Sequence, residues 1–336
     1  MDGMMFYHAN SLGEEVSVVD SIKSLDFEVN ISKTAKVDDN SFQMVINELL
    51  WAKSPVVVGD MIYVPQTEWG GLVTQITHKT ADSTITIEGI TWRGFLYCIP
   101  VEPPSGQSYM IFSGIDANAA ISLAIGGRYS DLIQVSTETT GVNVSGEWRY
   151  RSVADCLNST LEKYGMRLKI EWDNTIMKML LSAEPVDELT DEIELSQDYG
   201  VDFTSKDGNK VIYNRVLALG KGELLERMVR NVYYDNGSYY TQEPSGWDAD
   251  QERTLIFDYP NVESENDLIR SATDKLSQYV PMKSISINQV TANIPAELGD
   301  IIGARDRLTG MVGTSRVVRK IMKLKDISIS IEMGVE

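Results

Sequence analysis

The sequence predicts an α+β fold, mainly β, and three observations carry that prediction. Strand-like runs with period-two alternation dominate both ends of the chain. Two stretches with helical periodicity and capping signals lie between them. The third observation is a repeat. "VGDMIYVPQTEWGGLVTQITHKTADSTITIEG", residues 58–89, and "LGDIIGARDRLTGMVGTSRVVRKIMKLKDISISIEMG", residues 298–334, follow one plan. Each opens with a Gly-Asp turn (Gly59-Asp60, Gly299-Asp300) that feeds a short apolar strand. Each crosses a Gly-containing polar turn into a second strand, then closes in an alternating strand ending Ile-Glu (Ile87-Glu88, Ile331-Glu332). Aligning the closing strands sets Val73 on Val317, Lys79 on Lys323, Asp82 on Asp326 and Ile85 on Ile329. The second copy carries four extra residues before that aligned block, where hairpin loops tolerate insertion. Turns, strands and their order all agree, as a duplicated unit requires.

The elements follow in order. "SLDFEVNIS" and "SFQMVIN" read as strands, being rich in β-branched and aromatic residues. The first copy of the repeat comes next, and prolines break the chain at Cys98–Ser108, "CIPVEPPSGQS". "DANAAISLAIGG", from Asp116, predicts a short helix closed by glycines. In "RSVADCLNSTLEKYG", Ser152 and Asp155 stand at capping-box spacing, Val153, Leu157, Leu161 and Tyr164 share a face, and Gly165 ends the helix. "MRLKIEWD" and "TIMKMLLSAEP" follow as strands of a compact α/β module. After β-like text in Asp207–Glu223, Asn236-Gly237 marks a two-residue turn between Tyr-rich strands in "RNVYYDNGSYYTQ". "SENDLIRSATDKLSQYV" predicts an amphipathic helix, with Ser264 and Asp267 as its capping box, Leu268, Ala272, Leu276 and Tyr279 in line, and Pro281 as its end. Residues 284–336 are β again, so a second β unit interrupted by an inserted segment is expected.

A chain of 336 residues is long for one core and calls for two or more domains. Hydrophobic residues at 43% and charged residues at 24% are ordinary globular values. No apolar run approaches the roughly 20 residues a bilayer-spanning helix needs, so no membrane anchor is expected. The N-terminus has neither the basic region nor the apolar stretch of a secretory signal. Cys98 and Cys156 lie far apart outside any metal-binding spacing, and read as buried free thiols of a protein made in a reducing cytoplasm. A net charge of −19 argues against nucleic-acid binding through neutralised phosphates. The acid is concentrated in "EPVDELTDEIELSQD", Glu184–Asp198, which reads first as a solvated run. An acidic surface also suits a protein past which nucleic acid must move without sticking.

Catalytic material is scarce. The only histidines are His8, in what reads as an irregular N-terminus, and His78, in a strand of the first copy. That leaves almost nothing for a Ser-His-Asp or Cys-His arrangement. No zinc-protease, calcium-loop or phosphate-loop spacing is present. With 49 acidic residues, a glycosidase-type carboxylate pair stays open on sequence alone, though no pair stands in an apolar setting. Trp69, beside Gly70-Gly71, and Trp92, in "ITWRGF", read as core or interface anchors. No catalytic, cofactor-binding or metal-ligating residue is put forward, and a non-enzyme without cofactors is expected.

"SFQMVINELL…PVVVGDMIYVPQTEWGGLVTQITH", then "ITIEGITWRGFLYCIPVEPPSGQSY", and later "YNRVLALGKGE", resemble the tail hub family of long-tailed phages. Those tail-associated proteins are similar in their N-terminal part to the central hub of contractile-tail baseplates. This chain departs from the pattern before Phe42, with "TAKVDDN" where members carry basic residues, and in "WRGFLYC", where a plainer Gly-Arg-Gly turn is usual. The resemblance implies two similar tube-protein-like β-barrel domains plus smaller α/β domains. It divides the chain into a first barrel at 1–106, an α/β domain at 107–197, a discontinuous second barrel at 198–222 and 284–336, and an inserted domain at 223–283. It implies a virion protein of the tail tip or baseplate, made in the host cytoplasm, that forms a homotrimer. Three chains would present six similar faces and join a threefold tip to a sixfold tail tube, with DNA passing through. Partners would be the tail tube or distal tail protein, the tape-measure protein, and the receptor-binding or tip proteins below. The alternative is a glycan-binding or hydrolytic tail-tip module acting on cell wall, with the Tyr-rich hairpin as a sugar platform. With the sequence ending two residues after the second copy, no appended peptidase or lectin is expected.

The alternation also makes a prediction about the two closing strands, Thr84–Ile90 and Ile327–Glu332. Ile85, Ile87, Ile329 and Ile331 are expected in the core. Thr84, Thr86, Glu88, Ser328, Ser330 and Glu332 are expected on a small, polar, open face.

Overall fold

The computed structural model describes residues 5–19, 21–195, 201–207, 212–262, 264–280, 283–290, 295–325 and 328–335. The chain is mainly β and divides into two compact units, residues 1–204 with 286–336, and residues 205–285.

The first unit opens with β1 (Phe6–Ala9), β2 (Glu15–Val19), β3 (Ser24–Asn30) and β4 (Ser41–Asn47). A single helical turn, α1 (Glu48–Trp51), leads to β5 (Met61–Tyr63), β6 (Gly70–Lys79) and β7 (Thr84–Thr91). His8 lies in β1 and is buried, so the N-terminus is a strand rather than the irregular segment expected. Four residues are too few for period-two alternation to show in sequence. Gly70 and Gly71 are needed where β6 meets its neighbours: a Cβ on Gly71 would stand 2.0 Å from the Ile90 carbonyl oxygen. "TWRGFLYC" is a helix, α2 (Trp92–Tyr97), capped by the Thr91 hydroxyl, which accepts the Gly94 N–H at 3.2 Å. Arg93 on that helix is buried and pairs with Glu68.

The α/β module follows. Strand β8 (Pro100–Val101) leads to β9 (Met110–Asp116), and α3 (Ala117–Ile125) is capped by Asp116 and closed by Gly126 at φ 66°. After β10 (Ile133–Val135), β11 (Asn143–Trp148) and β12 (Arg151–Ser152), α4 (Val153–Glu162) begins at the expected Ser152 cap. Val153, Leu157 and Leu161 are buried, while Tyr164 lies beyond the helix end and is exposed. Strands β13 (Met166–Asp173) and β14 (Lys178–Pro185) complete the module. Its core is continuous with that of the first strands. Trp172 stacks on Trp92 at 5.0 Å, among Tyr63, Leu96, Leu157 and Leu181.

Next come β15 (Glu188–Leu195) and β16 (Val201–Asp207). The second compact unit is a four-stranded sheet of β17 (Arg215–Leu219), β18 (Val229–Asp235), β19 (Ser238–Tyr240) and β20 (Thr254–Asp258). Asn236 and Gly237 form the β18–β19 turn, both at positive φ (47° and 86°), as a type I′ hairpin requires. Helix α5 (Glu265–Ser277) starts at the Ser264 cap and lays Leu268, Ala272 and Leu276 on Val216, Ala218 and Val232. Tyr279 lies past its end, and Pro281 falls outside the described residues.

The chain then gives β21 (Lys283–Val290), β22 (Ile301–Arg305), β23 (Val312–Lys325) and β24 (Ser328–Val335). These strands share one 13-stranded sheet with those of the first copy, in the order β16-β21-β24-β23-β3-β4-β7-β6-β5-β1-β2, with β22 beside β23 and β15 beside β22. None of the described sheets closes into a barrel. Within one chain the duplication produces two matching ladders, β3-β4-β7-β6-β5 and β16-β21-β24-β23-β22, which part at their last strand, since β1 joins β5 antiparallel and β15 joins β22 parallel.

The ladders also correct two details. Both β6 and β23 carry an irregularity at matching places, between Val73 and Gln75 and between Val317 and Arg319. That match upholds the pairing of Val73 with Val317 and of Lys79 with Lys323. Gly89 lies opposite Val73, however, whereas Val335 lies opposite Val317, so Ile85 corresponds to Ile331 and not to Ile329. The β23–β24 turn is tighter, with Lys325 opposite Ser328, where Lys79 faces Thr84 in the first copy. Ile85 and Ile87 are buried as expected, but Thr84 and Thr86 are buried too. Strand β7 runs between β4 and β6, and Thr86 stands between Val45 and Thr77 in the ladder. Of the face predicted to be open, Thr84 and Thr86 are buried in the first copy while Glu88 is half-buried and accepts from Gln43 at 2.7 Å, and the side chains of β24 fall outside the described residues.

Two outcomes follow for equilibrium unfolding in urea. Ile87→Ala removes a fully buried side chain and should cost about 2–4 kcal/mol. Thr86→Lys should also lower the midpoint, because a lysine ammonium cannot stay solvated at a position only 7% exposed.

Candidate functional site

The two Gly-Asp turns have the same hydrogen bonds. In the first, the Gly59 N–H donates to the Val73 carbonyl at 2.9 Å and the Val73 N–H donates to the Asp60 carbonyl at 2.8 Å. In the second, Gly299 donates to Val317 at 2.7 Å and Val317 to Asp300 at 2.8 Å. Gly59 and Gly299 take φ of 97° and 99°, a region that favours glycine. Each aspartate turns its own side chain back on the loop: Asp60 Oδ2 accepts the Val57 N–H at 2.8 Å, and Asp300 Oδ2 accepts the Glu297 N–H at 2.7 Å.

Both carboxylates are buried, and each has a different basic side chain opposite. His8 Nε2 meets Asp60 Oδ2 at 2.8 Å. Arg167, from the α/β module, bonds Asp300 Oδ1, which also accepts the Asp187 N–H at 3.0 Å. The His8–Asp60 contact holds β1 to the turn, and no hydroxyl or thiol is placed on it as a nucleophile among the described contacts.

The other residues singled out in sequence are dispersed. His78 Nε2 lies 3.0 Å from Glu48, and that hydrogen bond holds the Glu48 carboxyl below the usual range. Cys156 is buried, which pushes its thiol up to about 12, whereas Cys98 is exposed, against expectation, at the end of α2. Trp69 and Trp92 are both core. The acidic run is partly neutralised at its start. Glu184 lies 2.9 Å from Lys169, whose pKa that bond raises, and both Glu184 and Asp187 lie 3.6 Å from Arg167. Residues 188–195 form β15, and residues 196–198 fall outside the described residues. In the Tyr-rich hairpin Tyr233 is buried, while Tyr239 and Tyr240 are partly exposed. Among the described residues, no group of three His, Cys, Asp or Glu side chains is placed to hold a metal ion.

What the structure does bring together is a seam between the copies. Strand β23 pairs antiparallel with β3, setting Arg319 opposite Asn30, Ile321 opposite Glu28 and Lys323 opposite Asp26. Arg319 donates from Nε and Nη2 to the two oxygens of Glu28 at 2.6 and 2.8 Å. Beneath the seam, Phe27 is fully buried and stacks on Phe42 at 4.6 Å. Lys320 is buried along its stem and reaches Glu297 at 2.7 Å. Neither the seam nor the Arg167–Asp300 contact announced itself in sequence, since both join residues more than a hundred positions apart.

The fold recurs in solved structures. The chain matches the 43 kDa tail protein of prophage MuSo2 from Shewanella oneidensis with a TM-score of 0.54 at 12% identity, over 99% of this chain and 98% of that one. It matches prophage tail protein gp18 from Listeria monocytogenes EGD-e with a TM-score of 0.51 at 12% identity, over 98% and 94%. The fold is that of phage tail proteins. No family model matches the sequence, and the search of curated proteins found no match. At such low identity the fold is what the chain shares with these tail proteins, and the paired Gly-Asp turns and the seam are described from its own residues.

Two substitutions separate what holds this region. Asp60→Ala strands the buried His8 ring and the Val57 N–H, and should cost about 2–4 kcal/mol in chemical denaturation. Arg319→Ala removes a half-exposed ion pair and should cost less than about 1 kcal/mol, because the seam also rests on backbone pairing and Phe27.

Proposed function

We propose that this chain is a structural hub of a phage or phage-like tail tip, a part of the virion that performs no catalysis. The observation that carries the reading is the duplicated ladder joined edge to edge within one sheet. A chain with two like units presents two like surfaces. Three such chains in a ring offer six, which adapts a threefold tip to a sixfold tube. On this reading the barrels are completed by assembly, and the ring lets DNA pass. Its neighbours are the tail tube or distal tail protein, the tape-measure protein, and the tip or receptor-binding proteins. The full-length match to the two prophage tail proteins supports the setting.

The site chemistry agrees with a scaffold. A glycosidase acid needs a carboxyl held protonated in apolar surroundings. Here Glu184, Asp187, Asp300 and Glu68 each lie against an arginine or lysine side chain rather than in apolar surroundings. Sedimentation of the purified chain, or mass measurement of isolated tail tips, should give a trimer or a ring built of trimers. A stable monomer inside assembled tips would overturn the reading. So would lysis of purified cell wall that is abolished by changing one carboxylate.

A further inference from the structure

The α/β module carries a basic, aromatic patch on an acidic chain. Arg149 is exposed, and its guanidinium carbon lies 5.3 Å from the Tyr109 ring centre and 5.5 Å from that of Tyr150. Both rings are close enough for their faces to attract the cation. Tyr150 is 69% exposed, and so is Ile111 of β9, at 70%. Strand β8 draws two more arginines to the same place. Arg151 stands opposite Val101 in the β8–β12 pair, and the Tyr150 N–H donates to the Val101 carbonyl at 3.1 Å. Arg128 Nη1 donates to the adjoining Pro100 carbonyl at 3.0 Å.

Acidic residues outnumber basic ones 49 to 30, and arginines elsewhere, such as Arg93, Arg167, Arg215 and Arg319, each lie against a carboxylate. Arg128, Arg149 and Arg151 form no ion pair among the described residues. Arg128 and Arg151 reach only carbonyl and hydroxyl oxygens, and Arg149 lies against the two rings. The backbone at the centre of the patch is strained. Tyr150 takes φ 47°, a left-handed conformation that a bulky side chain avoids. Its own N–H bond to Val101 and the strand pair that begins at Arg151 hold it there. Strain of this kind persists only where its surroundings impose it, and it gathers at binding sites.

We propose that this patch binds an acidic segment of a partner protein, with one of its carboxylates gripped by Arg149. The two rings restrain the guanidinium, and its N–H fork matches a carboxylate two-pronged. Arg128 and Arg151 take flanking carboxylates, and Ile111 an apolar side chain beside them. Tyrosine and arginine are the residues that most often anchor such contacts. Nucleic acid fits less well. Its charge recurs about every 1.7 Å of duplex, and three arginines on a chain of net charge −19 neutralise little of that. A short acidic segment stays within the patch, inside the roughly 8 Å over which charges act at physiological salt. The proposal goes beyond the hub reading and does not depend on it.

The test is fluorescence anisotropy of the full chain with a labelled glutamate-rich peptide carrying one leucine. The same peptide with glutamine for glutamate, and an oligothymidylate of equal length, serve as competitors of different chemistry. The glutamate peptide should bind, more tightly at low salt than at high, and the glutamine peptide should not. Arg149→Ala should raise the dissociation constant about tenfold, the loss of one charge-assisted pair. Arg149→Lys should not restore it, because an ammonium lacks the fork. Tyr150→Asn suits the left-handed backbone but has no ring, and should weaken binding several-fold with the urea midpoint unchanged. Arg270→Ala, at an exposed arginine of α5, should leave binding as it is. No binding of the glutamate peptide at any salt concentration overturns the proposal. So does binding that ignores Arg149→Ala or Tyr150→Asn, or that prefers the oligothymidylate. A chain that stays monomeric in assembled tips overturns the hub reading and leaves this patch standing.

Discussion

A buried aspartate in each Gly-Asp turn is the constraint on which the rest of the large sheet depends. A carboxylate removed from water must be surrounded by donors or cations. Asp60 and Asp300 meet that demand by holding a loop N–H, a backbone pair on the neighbouring strand, and a basic side chain from another element. The glycine before each aspartate supplies the left-handed backbone that lets the loop fold back on its own carboxylate. The turn consequently sets where β6 and β23 leave their first neighbours, and the strand irregularities follow one position later.

The copies have diverged in how they satisfy the same carboxylate. The first uses His8 from β1 of its own ladder, so it is closed by local strands. The second uses Arg167, which brings the α/β module against its turn and draws Glu184 and Asp187 toward the same guanidinium. That difference gives the α/β module its place. Its helices share a core with the first copy through Trp92 and Trp172, and its strand β13 delivers a charge to the second. Removing the module would therefore leave Asp300 buried beside fewer partners.

The seam between the copies follows from ordinary sheet physics. β3 has one edge on β4, and its free edge finds β23, which continues past β22 by enough residues to receive it. The bidentate Arg319–Glu28 pair adds register more than stability, since both side chains are partly solvated. Phe27, stacked between Phe6 and Phe42, supplies the burial that makes the seam part of a core rather than a surface contact.

Much of this was legible in the sequence because the signals are local. Ser152, Ser264 and Asp116 at helix starts, Gly126 at a helix end, and Asn236-Gly237 between tyrosines each act within a few residues, and each is where the sequence places it. The duplication was legible too, since Gly-Asp turns impose a backbone that few residue pairs allow. The two-residue shift of β24 was not, because a period-two pattern is unchanged by a slip of two and only the tighter turn decides between registers. Nor was the burial of Thr84 and Thr86, which period-two alternation places on the face opposite the isoleucines without saying what lies over it. The sequence by itself determined the elements, their caps and their repetition. The tertiary structure decided which basic side chain meets each buried aspartate, that the two copies share one sheet, and which edges are left without a strand among the described residues. Those outcomes turn on contacts between residues distant in the chain, where no periodicity reaches.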